Sequence, residues 1–155
     1  MRRTAYAACA LSTALLLSGC SYVTPTITED EAIAKTQEHA EHTLSALPEN
    51  AELEELSEPS SSPCGNSQTR VTVSVNLWIH GIPEEDNDTA LELMHEHWET
   101  NGYQILNDSR PDDTFINAKN EEDDFQVATR YNINDELSLS VRPPCLWPDG
   151  SPEFS

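Results

Sequence analysis

The chain has 155 residues, with 28 acidic against 8 basic side chains, four cysteines and a formal charge of −20. A balance this negative excludes recognition of nucleic-acid phosphates and flat association with an anionic bilayer. Aromatic residues at 6% distinguish it from an acidic disordered tail, and the length bounds it to one compact domain.

Arg2 and Arg3 precede an apolar run from Ala5 to Leu17. Such a run makes about 20 Å of helix, short of a hydrocarbon core of roughly 30 Å, so residues 1–19 read as a secretory signal rather than a membrane span. Leu17-Ser18-Gly19-Cys20 closes the run and resembles a bacterial lipobox. That resemblance implies diacylglyceryl transfer to the Cys20 thiol, cleavage before it, and a chain held by lipid on the outer face of the cell membrane. Cys9 falls in the removed segment.

Residues 20–28 form a short lipidated tether. Thr28 and Glu31 have capping-box spacing, with Ile27 and Ala32 placed as a hydrophobic staple. Ile33, Ala40, Leu44 and Leu47 then follow helical periodicity, which predicts a weakly packed amphipathic helix over residues 29–46, the segment ending at 47. From 48 to 63 the composition turns to Glu, Ser and Pro and reads as an acidic linker, with at most one helical turn near Ala51–Leu56.

Residues 64–155 are the expected ordered core. In Arg70–His80, Val71, Val73, Val75, Leu77 and Ile79 alternate with polar or amphipathic residues, the mark of a half-buried strand. Asn87 or Asp88 can cap a helix running to about Asn101, with Ala90, Leu91, Met94 and Trp98 on one face and Gly102 as its left-handed stop. Strands are expected at Tyr103–Leu106, Thr114–Ala118, Asp124–Ile133 and Leu137–Arg142, with Asn134-Asp135 as a tight turn. The order predicts an α+β two-layer domain: a mostly antiparallel sheet of four to five strands, one or two helices on one face, and a wet opposite face.

With Cys9 removed and Cys20 lipidated, Cys64 and Cys145 are left as an exported pair expected to form a disulfide. The bridge places the start of the 70–80 strand beside the end of the 137–142 strand. The predicted order is therefore 103–106, 114–118, 124–133, 137–142, 70–80, with a right-handed helical crossover.

Catalytic signals are weak. His39 and His42 read as a solvated helix face. His95 and His97 diverge by about 200° on a helix, unlike a zincin pair. The acidic runs at Glu84–Asp88, Asp112–Asp113 and Glu121–Asp124 lack the alternation and glycine of a calcium loop. No nucleophile motif or phosphate loop is present, so neither an enzyme nor a bound cofactor or metal is expected. Strand parity instead gathers Arg70, Arg130 and Arg142 on the wet face with Trp78 and His80. These cation and aromatic anchors suit a partner-binding face for an envelope protein or an anionic glycan.

Cys20, the helix from 29, Ser62-Pro63-Cys64-Gly65, Trp98–Tyr103 and Pro144–Pro148 together resemble the small exported lipoproteins of actinobacteria, a family that implies no particular activity. The expected role is a lipid-anchored extracytoplasmic binding or accessory protein at the cell envelope. The alternative is a small-molecule or cation-binding lipoprotein serving a transporter.

Overall fold

The computed structural model describes residues 26–151. The signal segment and the lipidation position Cys20 lie outside the described residues. The elements in order are α1 (Glu29–Leu44), β1 (Glu52–Pro63), β2 (Val71–His80), α2 (Asn87–Thr100), β3 (Tyr103–Asp108), β4 (Ile116–Asn120), β5 (Gln126–Tyr131) and β6 (Leu137–Arg142). A short 3₁₀ turn, Glu84–Asp86, leads into α2. The strands form one antiparallel six-stranded sheet in the order β1-β2-β6-β5-β4-β3. The fold is α+β, and the expected run from β3 through β6 to β2 is present.

The segment expected to be a linker is the exception. Residues 52–63 are an edge strand paired with β2 from Glu52↔His80 to Pro63↔Val71, with register shifts between Glu55 and Ser57 and between Ser57 and Ser60. Leu53 and Pro59 are its half-buried residues and the rest are exposed. A strand exposed along most of both faces has no alternating pattern to betray it, and backbone pairing holds it with Leu53 against the core. Its acids and Pro59 suit an edge, where charge and a missing N–H discourage pairing with a second chain. Gly81, at φ +82°, lies at the open end of this hairpin: a Cβ there would fall 2.0 Å from the Asn50 carbonyl oxygen.

Both helices cover the same sheet face, α1 over β2 and β6, α2 over β3 to β5. Thr28 and Glu31 form the expected capping box, Glu31 N–H donating to Thr28 Oγ1 at 3.2 Å and Thr28 N–H to the Glu31 carboxylate at 2.8 Å. The helix is not weakly attached, however. Its buried stripe is Ala32, Thr36, Ala40 and Thr43, each at 0–1% exposure. Small side chains let the helix lie close to the sheet, and the two threonines satisfy their hydroxyls by donating to the carbonyls of Ile33 (2.6 Å) and His39 (2.9 Å). Between the layers, Trp98, Phe125, Leu77, Leu91, Met94, Ile116 and Leu139 are fully buried.

Cys64 and Cys145 are bonded, with Cα atoms 5.6 Å apart. Beside them Val71 and Leu146 exchange two backbone hydrogen bonds of 2.9 Å. The chain after β6 also holds the start of α1, since Thr26 N–H donates to the Gly150 carbonyl and Glu29 N–H to that of Pro148. The beginning and end of the described chain therefore meet at the disulfide end of the sheet. No helix among the described residues is long and apolar enough to cross a membrane.

Candidate functional site

The face of the sheet away from the helices carries the parity set. Three ranks cross it. Trp78 on β2 stands opposite Glu54 on β1 and Ser138 on β6, and Ser138 opposite Arg130 on β5. Asn76 opposes Ser140, which opposes Ala128, which opposes Asn117 on β4. Nearest the disulfide, Arg142 opposes Gln126, which opposes Lys119.

The four proposed anchors have different surroundings. Arg70 is spent on the fold: its guanidinium donates to the Cys145 carbonyl and lies 5.6 Å from the Trp147 ring centre. Trp78 is half-buried. Arg130, 54% exposed, is 3.7 Å from the Asp113 carboxylate. Arg142 is exposed, and its side chain's one hydrogen bond among the described residues is donated to Gln126 Oε1 at 3.3 Å. His80 is held by Glu54 at 2.8 Å.

Among the described lysines and arginines, Lys35, Arg110, Lys119 and Arg130 each stand 2.6–3.7 Å from a carboxylate. In a chain with 28 acids that outcome is expected of every cation. Among the described residues Arg70 meets the Cys145 carbonyl instead of a carboxylate, and Arg142 has only the Gln126 amide. Arg142 borders a hollow of about 310 Å³ floored by Ala128 and walled by Ser74, Asn76, Asn117, Gln126 and Ser140, with Phe115 at one side and no carboxylate in the lining. Phe115 and Asn117 belong to the wet face by the parity of β4, a signal already present in the 114–118 alternation.

A second polar cluster was not legible in the sequence. His39, expected to face solvent, is only 12% exposed at its side chain. Its ring stacks on Phe125 at 4.7 Å, with Nδ1 2.6 Å from the Tyr103 hydroxyl and Nε2 3.1 Å from Asp123 Oδ2. Lys35 reaches the same carboxylate oxygen at 3.2 Å. The neutral tautomer that fits has Tyr103 O–H donating to Nδ1 and Nε2–H donating to Asp123. Burial pushes the Tyr103 phenol above its ordinary value. Burial alone would push the Asp123 carboxyl up as well, but His39 and Lys35 hold it below the usual range. The cluster borders an open hollow of about 390 Å³ that Lys35, His39, Tyr103 and Asp123 line together with His42 and Asn120. It ties α1 to β3 and to the β4–β5 turn.

Alongside, His42 and His97 from the two helices bring Nδ1 and Nε2 to 3.3 Å. Among the described residues no group of three or more His, Cys, Asp or Glu side chains is placed to hold a metal ion. Burial, and then the charge of His42, hold the His97 imidazole below its ordinary value, against a hydrogen bond with His42 that favours the charged form. The folded state thus prefers His97 neutral. Below the unfolded value of about 6.5 the unfolded chain takes up the proton first, so this contribution is complete above that pH and is lost as pH falls toward the folded value. His97→Gln is therefore expected to flatten the decline in urea midpoint between pH 7 and pH 5. Parallel wild-type and variant curves would refute the assignment.

No protein-family model matches the chain, and neither a curated protein nor a solved structure shows significant similarity to it.

Proposed function

We propose that this protein is a lipid-anchored binding or accessory component at the outer face of the cell membrane, and that its wet sheet face is the binding surface. The lipobox ending at Cys20 supports the location. Residues 21–25 separate that cysteine from Thr26, so whatever their conformation the domain starts within about 20 Å of the anchor. Thr26 is bonded beside the disulfide, which supports an orientation with that end of the sheet toward the bilayer and the Trp78–Ser138–Arg130 rank away from it.

The observation that carries the binding reading is Arg142: a guanidinium without a carboxylate partner among the described residues, beside a hollow lined by no acid, in a chain of charge −20. Folding stability would be served by pairing it; leaving it open serves an incoming acceptor. With Trp78 and Arg130 it supplies the residue types that dominate binding energy at interfaces.

Cross-linking of intact cells, followed by detergent-phase partitioning, tests both halves. The wild type is expected in the detergent phase with a cross-linked partner, and Cys20→Ser in the aqueous phase. The triple variant Trp78→Ala, Arg130→Ala, Arg142→Ala should stay anchored and folded while its cross-linked product falls about tenfold. An unchanged cross-linking pattern in that variant removes the sheet face from consideration.

A further inference from the structure

Resting on the reading of the wet face as a binding surface, we propose that the hollow over Ala128 is a subsite for one carboxylate-bearing sugar unit of an anionic glycan. Four observations converge on that chemistry. The hollow, about 310 Å³, has room for a single hexose-sized ring. Its walls are amides and hydroxyls on three neighbouring strands and β4, which offer donors and acceptors in alternation, as a polyol does. Phe115 supplies an apolar surface at one side for the C–H face of a pyranose. Arg142 supplies a planar fork of donors suited to a carboxylate, with only a 3.3 Å contact to Gln126 to give up.

The amides add an asymmetry. Ser140 Oγ donates to Asn76 Oδ1 at 2.6 Å, so that amide is fixed with its N–H groups free to donate. Asn117 is not fixed in this way: its Oδ1 is buried and reaches no donor among the described residues. A buried acceptor left unpaired is costly, and a ligand hydroxyl that drew the amide toward the hollow would relieve it. Asn117 stands beside Ala128 and Arg142 one rank away, opposite Gln126, so the same hollow is lined by a guanidinium with no carboxylate acceptor among the described residues and an amide oxygen with no donor. A sugar acid carries a carboxylate and hydroxyl donors on one ring.

Charge argues for the acid and for the confinement of the site. The chain as a whole repels anions, but at physiological salt that field decays over about 8 Å, and within the hollow no carboxylate opposes Arg142. Lys119, across Gln126, is already paired with Asp124 at 2.8 Å, which leaves a site for one negative charge rather than a broad basic track.

Ala128 makes the proposal testable without disturbing the core. Its side chain points away from the helices, so Ala128→Leu fills the hollow while β5 keeps its pairing. The probes are soluble oligomers of galacturonate, glucuronate and mannuronate, each beside its methyl ester, titrated into the purified protein by calorimetry and by amide chemical shifts. At least one acid oligomer is expected to bind and to shift residues of β4, β5 and β6 around Ala128. Ala128→Leu should abolish acid and ester binding alike. Arg142→Gln should weaken the acid about tenfold or more and leave the ester unchanged. Asn117→Ala should weaken both. The proposal is overturned if no oligomer binds at about 10 mM, if Ala128→Leu binds like the wild type, or if the shifts fall elsewhere. Should a cross-linked partner on intact cells still depend on Trp78 and Arg130 in those cases, the face stands as a binding surface and only the sugar subsite is lost.

Discussion

The double variant Cys64→Ser, Cys145→Ser is expected to melt about 10–20 °C below the wild type and to unfold at a much lower urea concentration. The bond joins positions 81 residues apart, and closing a loop of that size removes enough denatured-state entropy to stabilise by about 4–5 kcal/mol in the chain-entropy account. Five of the six strands lie between the cysteines and β1 abuts Cys64, so the loop closes around nearly the whole sheet. Native contacts at the same place survive the substitution: the Val71–Leu146 pair and the Arg70 guanidinium on the Trp147 ring do not involve sulfur. The variant should therefore keep wild-type far-ultraviolet circular dichroism in the cold and lose stability through the unfolded state. Reductant added to the wild type should reproduce the fall. A midpoint within about 3 °C of the wild type would mean that the reduced chain is already restrained by other means.

The cysteines also show why the sheet order was legible. Two thiols flanking the first and last predicted core strands allow one neighbour relation, and the remaining strands are meander-connected, so β3 to β6 followed by β2 was determined once the bond was assumed. β2, β5 and β6 were legible because each buries one face, which writes period two into the sequence. Their ends were not: Ile133, expected to continue β5, is 99% exposed in the turn where Asp135 takes φ 59°. β1 was illegible for the converse reason. Its side chains pack against almost nothing, and Glu-, Ser- and Pro-rich composition is what an unpaired linker and a protected edge have in common.

The wet face divides along similar lines. Strand parity placed Trp78, Arg130 and Arg142 correctly because the pleat permits no alternative. It says nothing of whether a cation is already taken, and that depends on loops: Arg70 is claimed by the segment after β6 and Arg130 by Asp113. The hollow depends on Ala128 being small between larger neighbours on adjacent strands, a property of three strands at once. The His39 network was hidden for a different reason. A histidine flanked by Glu38 and Glu41 looks solvated on a helix wheel, and only the β4–β5 turn, bringing Phe125 and Asp123 against α1, makes it a bridge.

Trp98→Ala is expected to cost about 3–5 kcal/mol, a large share of the roughly 5–15 kcal/mol available to a domain of this kind. Trp98 is 0% exposed, and its Nε1–H donates at 3.0 Å to Thr43 Oγ1, itself 0% exposed on α1. The residue therefore does two things: it fills the space between α2 and the sheet, and it pins the helix that sequence periodicity suggested was loosely held. The two can be separated. Trp98→Phe keeps most of the volume but removes the donor. Thr43→Val keeps the shape but leaves the indole N–H buried without an acceptor, which should cost about 1–3 kcal/mol. In urea unfolding, the two substitutions together should cost less than the sum of each alone, with a coupling of about 1 kcal/mol, because the second removes a partner already lost. Additive losses would show that the hydrogen bond does not join the helices energetically. A Trp98→Ala loss below about 1 kcal/mol would show that α2 tolerates an open core at this point, and with it that the interlayer packing is not what orders β3 and Tyr103 beside α1.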